Sequence, residues 1–97
     1  MFELFEFDLS DDFRKSLEKL SKKDKKLSLE VNNKIKEIIS RDSEIVDFYK
    51  NLRGNMSEFK RVHVRNWFVV IFKVYKKENL IRFIKLGHRK DAYKEPY

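Results

Sequence analysis

Phe59-Lys60-Arg61-Val62-His63-Val64-Arg65-Asn66-Trp67-Phe68-Val69-Val70-Ile71-Phe72-Lys73-Val74-Tyr75, followed after Lys76-Lys77-Glu78-Asn79 by Leu80-Ile81-Arg82-Phe83-Ile84-Lys85-Leu86, is the stretch on which the fold turns. Three runs rich in Val, Ile and aromatic residues, Phe59 to Val64, Trp67 to Tyr75 and Leu80 to Leu86, are separated by turn-length gaps. That pattern predicts a three-stranded antiparallel meander. Side chains along a strand alternate between two faces. With Val62 and Val64 on the buried side, a hairpin turning near Asn66 pairs positions whose numbers sum to an even value, so Phe68, Val70, Phe72 and Val74 share that side. The turn at Lys77-Glu78 must then pair even with odd positions to bring Ile81 and Phe83 there. Lys60 and Lys85, near strand ends, are the polar exceptions. The same parity predicts an opposite face of Arg61, His63, Arg65, Trp67, Val69, Ile71, Lys73, Arg82, Ile84, Leu86 and His88. Both histidines of the chain fall on it, near one end of the sheet. With ~4.8 Å between strands and ~3.3 Å per residue, their Cα atoms are expected roughly 12 Å apart.

Upstream the period changes. Phe2, Leu4 and Phe7 to Leu9 read as a short first strand. Ser10 before Asp11 and Asp12 is a helix start, a hydroxyl cap followed by acids at the positive end of the dipole. Phe13, Leu17 and Leu20 form one apolar stripe; after a polar break from Ser21 to Asp24, Leu27, Val31, Ile35 and Ile38 form a second. Two amphipathic helices joined by a few residues predict an antiparallel hairpin whose apolar faces cover the sheet. Residues 41 to 58 read as irregular, with Arg53-Gly54-Asn55 as a turn. The expected class is α+β: an N-terminal strand and a helical hairpin packed on a C-terminal meander, in one domain spanning 1–97.

Composition narrows the function. The chain has 97 residues, 41% hydrophobic with nine Phe; that is enough for a real core and argues against disorder. No apolar run approaches the ~18 residues of a membrane span. Met1 to Asp12 carries five acids and no basic residue, unlike a signal peptide. The absence of cysteine excludes disulfides and thiolate sites and fits a cytoplasmic protein. Two glycines leave no Gly-rich phosphate loop, so no cofactor is expected. Two histidines and scattered acids without ligand spacing point away from a metal site. Residues 1–58 hold 12 Lys/Arg and 13 Asp/Glu, whereas residues 59–97 hold 11 Lys/Arg and three acids. The whole excess of +7 therefore belongs to the C-terminal part, which suggests a face made for a polyanion, nucleic acid above all.

Within that face the chemistry-bearing residues can be named. Histidine, with an unperturbed pKa of ~6.5, serves as acid or base near neutrality. Two imidazoles reaching inward on that face could flank one phosphate. Lys60 and Lys90 are further candidate phosphate contacts. Trp67 and Tyr93 are candidate stacking platforms, each worth ~1–3 kcal/mol per base.

Leu52-x-Gly54-Asn55, Phe59 to Val64, Phe68 to Val74, His88 and Tyr93 occur in an order and spacing that resembles the RelE/ParE toxin superfamily, and its YafQ-type branch most. The resemblance runs from Leu52 to Tyr93, preceded by a strand and helical hairpin in the right order. It implies a toxin of a type II toxin–antitoxin system: a ribosome-dependent mRNA endonuclease that inhibits translation and is neutralised by a cognate antitoxin. Metal-free cleavage by 2′-hydroxyl attack needs a base, an acid and cations for the phosphorane. On this reading His63 is the expected base and His88 the expected acid, with Arg61 and Arg65 on the phosphate and Arg89 assisting. A cationic face also attracts acidic chains, so the antitoxin is expected to be acidic and to fold on binding. The rival readings are a ParE-like toxin that binds a DNA topoisomerase without cleaving RNA, and a non-catalytic nucleic-acid-binding domain.

Overall fold

A computed structural model describes residues 5–40, 49, 51 and 58–92. Phe2, Leu4, Leu52, Arg53, Gly54, Asn55 and Tyr93 lie outside the described residues. The element order is β1 (Glu6–Leu9), α1 (Asp11–Lys23), α2 (Lys25–Ile39), β2 (Lys60–Arg65), β3 (Phe68–Tyr75), β4 (Leu80–His88) and α3 (Arg89–Ala92). The three-stranded antiparallel meander forms as expected. β1 joins it at the edge, parallel to β4, which gives the order β1-β4-β3-β2.

Local chemistry sets the helix boundaries. The Ser10 hydroxyl accepts from the Phe13 amide at 3.1 Å and donates to the Ile84 carbonyl at 2.6 Å. One side chain thus caps α1 and ties it to β4. The polar break between the helices narrows to Asp24. Its amide closes α1 on the Leu20 carbonyl at 2.8 Å, and its carboxylate accepts from the Leu27 amide at 3.1 Å to open α2. The two apolar stripes then lie on the sheet as predicted. Phe13, Leu27, Val31, Ile35 and Ile38 are buried against Phe68, Val70, Phe72, Ile81, Phe83 and Leu86. Phe83 is the hub, with the Phe13 ring at 5.6 Å and the Phe72 ring at 5.9 Å; burial of each such side chain contributes ~1.5–3 kcal/mol.

The even pairing of the first hairpin holds from Lys60↔Phe72 to His63↔Val69, and the odd pairing of the second holds from Tyr75↔Leu80 to Phe72↔Phe83. Two irregularities then break the parity. Between His63 and Arg65 the register shifts, so that Arg65 pairs with Phe68; between Phe72 and Ile71 it shifts again, so that Ile71 pairs with Lys85 and Phe68 with His88. Each leaves one residue, Val64 or Ile84, without a cross-strand partner, and an extra residue reverses the facing of everything beyond it. Arg65, Leu86 and His88 therefore belong to the helix-facing side, and Lys85 to the opposite one. The prediction that both histidines share a face is corrected: Val69, opposite His63, and Phe68, opposite His88, are consecutive residues of β3 and point opposite ways.

The opposite face is also less open than the parity suggested. Phe59, Val69, Ile71 and Ala92 are buried there, with Ile84 packed beside them. Phe59 and the short helix α3 cover the centre, and the cations form its rim.

Candidate nucleic-acid interface

The end of the sheet at the β2–β3 turn carries two groups of functional side chains, one on each side. On the face away from α1 and α2, β2 presents Arg61 opposite Ile71 and His63 opposite Val69. Arg89 follows the end of β4, where its amide donates to the Trp67 carbonyl at 2.8 Å. That bond pins the start of α3 to the turn. His63 is exposed. Partial desolvation, then the positive charges of Arg61 and Arg89, hold its pKa below the usual histidine value of 6.5. Its imidazole thus favours the neutral form, the one that accepts a proton.

On the helix-facing side, His88 and Trp67 stack with ring centroids 5.9 Å apart at 32°. The Arg65 guanidinium lies 6.0 Å from the indole centroid and pairs with Glu30 of α2 at 2.6 Å. The Phe68 ring meets Trp67 edge-on at 5.5 Å. The Lys90 amide donates to His88 Nδ1 at 3.2 Å, which leaves Nε2 as the ring atom that carries or gives the proton. Trp67 remains 41% exposed, an aromatic surface with an imidazole against it.

The structure therefore distributes the predicted site residues unequally. Arg61, His63 and Arg89 come together on one face; Arg65, Trp67 and His88 come together on the other. Lys90 is exposed beside them. Lys60 does not join either group. It is buried, and its ammonium donates to Asn51 Oδ1 at 2.8 Å and the Tyr49 carbonyl at 3.3 Å. A lysine so placed holds the β2 edge to the preceding segment, and its predicted role as a phosphate contact is corrected. Glu30 was missed by sequence reasoning, because no local pattern links a helix glutamate to an arginine 35 positions downstream. Among the described residues no group of three or more His, Cys, Asp and Glu side chains is placed to hold a metal. Nor, among the described residues, is any helix long and apolar enough to cross a membrane.

No family model matches the chain. The solved structure of YafQ from E. coli strain BL21(DE3) superposes with a TM-score of 0.72 at 20% identity, covering 92% of this chain and 98% of that one. The E. coli DinJ-YafQ toxin-antitoxin complex superposes with a TM-score of 0.71 at 19% identity, covering 94% and 99%. These likenesses establish the fold. The α+β arrangement with an N-terminal strand, two helices and an antiparallel meander is that of the YafQ structures. In sequence, the chain is 35% identical over 95 residues to a Methanocaldococcus jannaschii protein carrying the name toxin RelE4, covering 95% of this chain and 94% of that protein. A likeness of that strength over nearly the whole of both chains, on a sheet of the same architecture, means that this chain belongs to the RelE toxin family.

Proposed function

We propose that this protein is the toxin of a type II toxin–antitoxin system and an endoribonuclease that cleaves mRNA on the ribosome. The observation that carries the proposal is His63, exposed on the face it shares with Arg61 and Arg89, where partial desolvation and then those two charges favour its neutral form. In this scheme His63 takes the proton of the ribose 2′-hydroxyl. The 2′-oxygen attacks the adjacent phosphorus, the bond to the 5′-oxygen breaks, and the products end in a 2′,3′-cyclic phosphate and a 5′-hydroxyl. Arg61 and Arg89 offset the charge of the phosphorane. The diester crosses the end of the sheet at the Asn66-Trp67 turn, with His63 on one side and His88 on the other, and His88 Nε2 protonates the departing oxygen. Trp67 is the stacking surface for a flanking base. The donor set supplies acid–base chemistry from side chains and needs no metal in this scheme.

The exposed cations that grip RNA also suit an acidic antitoxin, and a solved neighbour of this fold is the DinJ-YafQ toxin-antitoxin complex. The test is translation-coupled mRNA cleavage by the wild type, His63→Ala and His88→Ala. The wild type is expected to yield fragments with 2′,3′-cyclic ends, and each variant to lose ~10²–10⁴ in rate. Full activity in the double variant overturns the scheme. Blocked replication with intact mRNA overturns the nuclease in favour of a topoisomerase-directed toxin, and salt-dependent RNA binding without cleavage in favour of a plain binding domain.

A further inference from the structure

We infer that Glu30, on the second helix and outside any pattern that marks the site, is a positioning residue for His88, acting through Arg65 and Trp67. The inference rests on the reading of His88 as the general acid. A continuous series of contacts leads from the helical layer to the imidazole. Glu30 Oε2 lies 2.6 Å from the Arg65 guanidinium, and that oxygen is itself closed off from water. The oxygen is covered by Arg65 while both side chains as a whole stay half-exposed, so the contact orients the guanidinium more than it stabilises the fold. The guanidinium so held lies 6.0 Å from the Trp67 ring centroid, within reach of a cation–π attraction. Trp67 in turn stacks on His88 at 5.9 Å, and the Lys90 amide fixes the other side of the imidazole through Nδ1.

Two consequences follow. Arg65 is spent on orientation, so the phosphate-gripping role belongs to Arg61 and Arg89. The turn that carries Trp67 has its aromatic side chain anchored from outside the sheet, by a carboxylate on α2. Loss of that anchor frees both the indole and the guanidinium, so His88 loses its fixed orientation while the RNA gains a cation.

The test uses Glu30→Gln and Glu30→Asp in the full chain. The chain has one tryptophan, so its intrinsic fluorescence reads Trp67 directly and does not require activity. Glu30→Gln is expected to raise quenching by iodide, because the released guanidinium draws the anion to an indole that is less covered, and Glu30→Asp to restore the wild-type value in part. In cleavage, Glu30→Gln is expected to lower kcat by roughly tenfold to a hundredfold, the scale of a misplaced catalytic group, with KM unchanged or lower because Arg65 becomes available to phosphate. A variant that was merely misfolded would lose the far-ultraviolet circular dichroism signal and show no partial rescue by aspartate. Unchanged fluorescence and unchanged kcat in Glu30→Gln overturn the inference. Altered fluorescence with no cleavage by the wild type overturns the nuclease reading and leaves the positioning contact standing.

Discussion

The two faces of the sheet are made from the same three strands, yet they are covered to very different depths. Toward the helices, Phe68, Val70, Phe72, Ile81, Phe83 and Leu86 close against α1 and α2. The two cations of β2 on that side are each engaged, Lys60 by Tyr49 and Asn51 and Arg65 by Glu30. On the other face the buried patch is small, built on Phe59, Val69, Ile71 and Ala92, and Arg61 and Arg89 act on the exposed His63. Ion pairs form on this face too, Lys73 with Glu58 at 3.4 Å and Arg82 with Asp8 at 3.5 Å, and what sets it apart is an exposed histidine among its cations. The lesson is that a net charge of +7 says little until each cation is assigned to a face and a partner.

The sharpest way to break this comparison is at His63. His63→Ala is expected to lower cleavage by ~10²–10⁴ while leaving the thermal midpoint near that of the wild type, as measured by calorimetry; a large loss of stability instead would place His63 among the structural residues. Next comes the core. Phe83→Ala, between Phe13 and Phe72, is expected to cost ~3–5 kcal/mol in denaturant unfolding, and Ile71→Val in the smaller patch ~0.5–1.5 kcal/mol. Equal costs would erase the distinction between a main core and a minor one.

A smaller effect concerns pH. Because His63 is held below the usual histidine value, its neutral form persists as the pH falls through ~6.5, and activity is expected to decline only at lower pH. Arg61→Gln or Arg89→Gln removes one of the opposing charges, so the acid limb of kcat/KM is expected to move up toward the ordinary value. The shift is partial, since desolvation is the larger cause. A limb that does not move assigns the acid-side titration to another group. Ser10→Ala, which loses the cap of α1 and its bond to β4, is expected to cost ~1 kcal/mol. The smallest change is Asn79→Gly. Asn79 holds φ at 52°, a left-handed conformation that glycine adopts freely, so the substitution is expected to change stability by a few tenths of a kcal/mol at most.

Much of the architecture was readable along the chain because it depends on neighbours in sequence. Ser10 and Asp24 are caps whose partners lie three residues away. Phe13, Leu17 and Leu20 repeat at the helical period, and Val62, Val70 and Phe72 at the strand period. The parity of the first hairpin was right as far as His63↔Val69, and that of the second from Leu80 to Phe83. Arg61 and His63 could accordingly be placed on one face, while Arg89, beyond the end of β4, was named only as an assisting cation. Beyond the two irregularities the same counting failed for Arg65, Leu86 and His88. It failed for Lys60 in a different way: its facing was right, but its ammonium found carbonyl partners in a segment eleven positions upstream.

By itself, the order of residues determined the periodicities, the helix boundaries, the class of fold and the basic character of the C-terminal part, because each follows from propensities and spacings within a few positions. Tertiary structure alone decided which way Arg65 and His88 face, that Glu30 meets Arg65, and that Lys60 is withdrawn from solvent. The reason is that a β-bulge shifts register by one residue, a change set by how neighbouring strands and the helices above them pack. That single step is enough to carry a side chain from one side of a sheet to the other.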